Sequence, residues 1–191
     1  MLTTLLVFTR NFAIRQAIIA LSPEERQIYF FDNRLEFVVC ATIFEKPCVL
    51  IDTIHECGED VRWIYTSLSA RKGIKNIYFI APEEIAENNY LKFFGLVTTI
   101  KELKKLCDHA VRFPLGYRPF KLKDALHHRL SLMLSHDHMT FLNRVYDSVK
   151  RRYVCQSKSD INKMLYLRRR LSLGSGLEMK QLISLLTSNR Y

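Results

Sequence analysis

The sequence predicts an α/β N-terminal domain built on a doubly wound parallel sheet, followed by an all-α C-terminal domain. Three observations carry this expectation. Four apolar, β-rich runs recur in the first hundred residues: LTTLLVFT (2–9), QIYFF (27–31), CVLID (48–52) and NIYFIA (76–81). They read as continuous apolar runs rather than alternating ones, the pattern of parallel strands covered on both faces, and helical patterns separate them. Charge also divides the chain: residues 1–111 hold 13 Lys+Arg against 14 Asp+Glu, whereas residues 112–191 hold 16 against 5. The excess behind the net charge of +10 therefore lies in the last 80 residues.

Taken in order, the chain opens with a strand and then an Arg-bearing amphipathic helix over 11–20. A signal peptide would need a basic n-region, which MLTTLLVFTRNFAIRQ lacks. Further helical patterns lie at 35–45, 60–72, 83–92 and 100–109, and a fifth, weaker strand is FGLVTT (94–99). SPEE (22–25) and APEE (81–84) are turn and helix-start signals, with Pro near the first turn and carboxylates favoured by the helix dipole. No stretch reaches the roughly 18 apolar residues that a membrane span requires, so no membrane partner is expected. The five cysteines (Cys40, Cys48, Cys57, Cys107, Cys155) are odd in number and never in a CxxC pair. They read as reduced, packed thiols of a cytoplasmic protein.

Neither His55 with Cys57 nor His136 with His138 has a second half at ligand spacing, so no metal or cofactor is expected. A catalytic role finds no support either: there is no Gly-rich phosphate loop, nucleophile motif or carboxylate pair with a partner base.

RFPLGYRPFKLKD (112–124), with two prolines and a glycine among basic residues, marks the domain boundary. The linker is expected to run over 112–133, with ALHHRLSLML (125–134) either a connecting helix or an extended segment. From Leu134 the texture is helical. Ser135 is placed to cap a helix with Asp137 in its first turn, and Met139, Leu142, Val145, Tyr146 and Val149 draw one buried stripe. Met179, Leu182, Ile183 and Leu186 do the same near the end. Between them LGSG (173–176) is a stop, with Gly174 and Gly176 available for left-handed backbone and Ser175 near the next helix start.

SDINKMLYLRRRLSLGSG (159–176) holds the candidate site. On a helical wheel Ile161, Met164, Leu165 and Leu171 fall on one side. Ser159, Asn162, Lys163, Tyr166 and Arg170 fall opposite, with Arg169 flanking them. A face of that composition suits the major groove of double-stranded DNA, where Arg and Lys reach guanine edges and Asn reaches adenine. Lys158, Arg151, Arg152 and Arg169 are the candidates for phosphate contact. Arg168 is placed on the apolar side, so either it snorkels out near the helix end or the helix frame differs there. The plainer reading of the three adjacent arginines is a solvated helix terminus that complements the dipole.

Residues 1–110 resemble a bacterial response-regulator receiver domain in their β-α-β-α-β order and in Asp52, at the end of the third strand. The resemblance puts Asp52 in the phosphoacceptor position. Thr9 and Arg10 stand where that family carries its magnesium-holding acidic pair, so the domain is expected to be degenerate. Phosphoryl transfer needs a metal and a cation that one carboxylate does not supply. Read from the residues alone, Asp52 is a strand-end carboxylate capping the next turn. Residues 134–186 resemble a LuxR-type helix-turn-helix. LSHDHMTFL (134–142) matches its opening Leu, Ser and final Leu, with His138 in place of Glu, and Arg170, Leu171 and Leu173 match its Lys-Leu-Gly-Val close. The middle, SVKRRYVCQSKS (148–159), is about three residues shorter than usual. Together the two halves resemble small, non-phosphorylated bacterial regulators of fimbriae or acid resistance. That implies transcription regulation as a homodimer or as a heterodimer with another regulator. The rival expectation is a protein-interaction regulator that pairs with another LuxR-type protein and modulates its DNA binding.

Overall fold

The computed structural model describes residues 4–22, 27–71, 74, 76–82, 95–108, 121–150 and 157–187, the side chains of 146–150 apart. The chain divides into two compact units, residues 1–41 with 45–119 and residues 42–44 with 120–191.

In the first unit five strands form one all-parallel sheet: β1 (Leu5–Phe8), β2 (Ile28–Phe31), β3 (Cys48–Asp52), β4 (Asn76–Ile80) and β5 (Gly95–Val97). Their order is β2-β1-β3-β4-β5, the flavodoxin-like arrangement in which the connections reverse between β1 and β3. Among the described residues four helices accompany them: α1 (Phe12–Leu21), α2 (Arg34–Ile43), α3 (Gly58–Ser69) and α4 (Ile100–Asp108). The expected helix at 83–92 lies outside the described residues.

The alternation of side chains along each strand sorts the core into two layers. Leu5, Val7, Cys48, Leu50, Ile80 and Val97 pack on one face against Ile18 of α1 and Leu103, Leu106 and Cys107 of α4. On the other face Phe37 of α2 meets Phe8 and Phe31 at ring-centroid distances of 5.4 and 5.6 Å, and Tyr65 of α3 meets Phe79 at 6.4 Å. Both faces being covered explains why the strands read as unbroken apolar runs.

Helix starts follow local chemistry. Asn11 Oδ1 accepts the Ile14 N–H (3.1 Å) at α1. At α4, Thr99 Oγ1 accepts the Glu102 N–H (3.3 Å) and the Glu102 carboxylate takes the Thr98 and Thr99 N–H groups (2.8 and 3.2 Å), a capping box. The Thr98 N–H, foremost among these donors, lowers the Glu102 pKa. Gly95 sits opposite Tyr78 in the β4–β5 pair, and a Cβ there would run into the tyrosine ring. Cys40, Cys48 and Cys107 are buried thiols and Cys57 is exposed, while Cys155 lies outside the described residues. Burial, reinforced by Glu36, raises the Cys40 pKa well above the ordinary value, so this thiol stays protonated and unreactive.

The second unit contains α5 (Leu122–Met133), α6 (His136–Lys150), α7 (Lys158–Arg170) and α8 (Gly176–Thr187). Of the expected 112–133 linker, residues 112–120 lie outside the described residues, and the helical alternative for its second half is the one seen: α5 buries Leu122, Ala125, Leu126 and Leu130. Those four side chains repeat at helical spacing, which makes α5 a core helix that packs on α6 and α8. Phe141, Leu142 and Val145 of α6 face inward, as do Met179, Leu182, Ile183 and Leu186 of α8. Tyr146 and Val149, expected on the same α6 stripe, have side chains outside the description. Ser135 does precede α6, but its hydroxyl lies 2.7 Å from His138 Nδ1. No helix among the described residues is long and apolar enough to cross a membrane.

The stop after α7 also differs from expectation. Ser172, with φ 57°, takes a left-handed position, and Gly176 does not. The Leu173 N–H bonds to Arg168 O (2.9 Å) and the Ser172 N–H to Arg169 O (3.1 Å), which together make a Schellman motif. A Cβ in that conformation costs about 1–2 kcal/mol. Ser172→Gly is therefore expected to stabilise the chain by up to about 1 kcal/mol, after the entropy cost of glycine, as a rise in urea midpoint at constant slope.

Candidate nucleic-acid interface

Helix α7 is built from clear local signals. Ser157 Oγ accepts the Asp160 N–H (3.1 Å) as N-cap, Asp160 occupies the first turn, and Arg168, Arg169 and Arg170 occupy the last. Each charge suits its end of the macrodipole. Leu167 is fully buried, Met164, Arg168 and Asp160 are half-buried, and Leu171 and Leu173 seal the turn that follows. On a wheel those residues of the helix occupy one arc. The remaining positions, Lys158, Ser159, Ile161, Asn162, Lys163, Leu165, Tyr166, Arg169 and Arg170, are all exposed.

This arrangement corrects the expected helix frame. Ile161 and Leu165 were placed on the buried side, yet they are 52% and 41% exposed. The ridge that closes the core is Met164–Leu167–Leu171, centred about 90° round the helix from Ile161. Arg168 then ceases to be a misfit, because it flanks the buried ridge rather than sitting among exposed aliphatics.

Three contacts set α7 against α6. Arg144 pairs with Asp160, the Lys163 ammonium lies 5.6 Å from the Phe141 ring centroid with Arg144 at 5.3 Å, and Tyr166 stacks on His138 at 4.8 Å with an interplanar angle of 19°. Lys163 thus leans toward α6 at the margin of the exposed arc, beside a cleft lined by Asp137, Thr140, Phe141 and Arg144. Arg144 and His138 belong to this surface; Arg144 was not singled out in the sequence, and His138 was considered there only beside His136 and as the replacement for a Glu. Only their helical spacing along α6 could have pointed to them.

Of the residues expected to meet DNA, Lys158, Ser159, Asn162, Lys163, Tyr166, Arg169 and Arg170 are all brought onto one exposed face. Lys158, Arg169 and Arg170 form no ion pair among the described residues. Arg151 and Arg152 lie outside the described residues. The start of α8 is fixed by Ser175 Oγ, which accepts the Glu178 N–H (3.2 Å), while the buried Glu178 carboxylate takes the N–H of Gly174, the residue before the cap (2.9 Å).

Asp52 lies in the other unit, at the sheet's reversal point, and is fully buried. Its Oδ2 accepts the Thr9 hydroxyl (2.8 Å) and its Oδ1 the N–H groups of Ile54 (2.9 Å) and His55 (3.2 Å), with His55 Nδ1 3.1 Å from Oδ2. Both oxygens are occupied by the turn that follows β3, the geometry of an Asx cap. Beside it Arg10 faces the buried Glu56 carboxylate at 3.2 Å, reaches Asp60 at 3.1 Å, and donates to Asp32 O at 3.0 and 3.2 Å. Arg34 completes the cluster on Asp60 at 2.9 Å. A guanidinium therefore stands where the receiver pattern has a carboxylate.

No protein-family model matches the chain, and no curated protein or solved structure matches it either.

Proposed function

We propose that this chain is a sequence-specific, phosphorylation-independent DNA-binding regulator of transcription, with α7 as the helix that enters the major groove. The observation that carries the reading is the exposed arc of α7. It gathers Lys158, Asn162, Tyr166, Arg169 and Arg170 on one side, while the opposite ridge is used up in the core. Cations at the margins suit phosphates, and Asn162 suits the adenine edge. The LuxR-type resemblance of residues 134–186 supports the same assignment. The sheet domain would serve assembly as a homodimer or contact with another regulator, a reading supported by the cap role of Asp52 and by Arg10 beside it.

The test is duplex binding by the purified chain across a salt series. Binding should weaken with salt at a log–log slope of about −0.9 per phosphate neutralised. Lys163→Ala/Arg170→Ala is expected to keep the fold, to lose about 1–3 kcal/mol of affinity for each residue that reads a base, and to flatten the slope where a phosphate contact is lost. A salt-independent or absent interaction would sink the reading.

One observation favours a second reading. Ile161 and Leu165 are large, apolar and exposed one turn apart, with Tyr166 exposed farther round the helix, which also suits pairing with another regulator. Under that reading promoters would be captured only when the partner is present.

A further inference from the structure

Ile161 and Leu165 are unexplained by core packing. They are one helical turn apart, both exposed, and flanked on one side by Lys158, Asn162 and Arg169. An acidic protein surface would satisfy the cations but set two branched aliphatics against carboxylates. The DNA major groove offers both chemistries side by side: phosphates at its margins, and on its floor one apolar group, the thymine C5-methyl. Asn162 stands one turn before Leu165, its i,i+3 neighbour on the exposed face, and its amide matches the N6 and N7 pattern of adenine.

We propose that Ile161 and Leu165 are specificity-determining residues that read thymine methyl groups, so that each half-site holds thymines beside an adenine taken by Asn162. This rests on α7 being the groove helix, and the experiment separates the two claims. A duplex selected from a random pool by the full chain is synthesised twice, once with thymine and once with deoxyuridine throughout the half-sites. The second differs only in lacking the methyl groups, leaving charge and hydrogen-bonding edges unchanged.

Burial of two methyls corresponds to a loss of about tenfold in affinity on going to deoxyuridine. The variant Ile161→Ala/Leu165→Ala, altered only at exposed positions, should bind the thymine duplex more weakly and should not distinguish the two duplexes. Equal binding of both by the unaltered chain would overturn the inference while leaving α7 as a DNA helix. Failure to select any duplex would overturn that parent reading, and this inference with it.

Discussion

Replacing Phe37 with alanine is expected to cost about 3–5 kcal/mol, read as a fall in the urea midpoint of the α/β unit. Phe37 is fully buried on α2 and is the shared neighbour of Phe8 and Phe31. Its removal takes away the transfer free energy of a benzyl group and leaves a cavity that two rings from the sheet cannot fill without leaving their rotamers. Set against a typical domain stability of about 5–15 kcal/mol, the loss brings this unit near its unfolding threshold. Phe37→Leu, which keeps most of the volume, should recover more than half of it. Equal losses for leucine and alanine would mean that volume is not what Phe37 supplies.

Asp52→Ala is expected to cost about 2–4 kcal/mol, because the Thr9 hydroxyl and the N–H groups of Ile54 and His55 all lose their acceptor. Asp52→Asn should cost much less. Its Oδ1 still accepts both N–H groups, and the Thr9 hydroxyl can turn to accept from the new amide. The informative measurement pairs stability with duplex binding. A capping role predicts that Asp52→Asn binds DNA as the unaltered chain does. A phosphoacceptor role predicts that the same change abolishes phosphate uptake from a small phosphodonor and shifts DNA binding. Arg10 bears on this too, since its guanidinium already lies against Glu56 and Asp60.

Much of the architecture was legible residue by residue. The apolar runs became β1 to β4 with few residues' difference, and the weak FGLVTT run became the short strand Gly95–Val97. This worked because a strand buried on both faces must be apolar at every position, a pattern that little else in a chain of this kind produces. Caps were partly legible for a similar reason. Ser175 serves its helix through a side chain within reach of the local backbone, so the signal is contained in three or four residues. Where the signal was not local, the expectation failed. Residues 122–133 looked like a connector because their buried positions are spaced among His, Arg, Lys and Ser, and only packing against α6 and α8 makes them core.

Helix α7 shows the same division most sharply. Its existence, its basic character and its last turn of arginines follow from composition and spacing alone. Its rotation does not. The wheel gathers Ile161, Met164, Leu165 and Leu171 on one side, and summed hydrophobicity cannot say which edge of that side is buried. The choice is made by the surroundings, through Asp160 against Arg144, Tyr166 against His138 and Lys163 over Phe141. Those partners come from a helix 16 to 28 positions away in sequence. A helix's own period says which residues share a face, whereas contact with the rest of the fold decides which face is buried. Here that decision turns two aliphatic side chains outward, onto the surface where the cations lie.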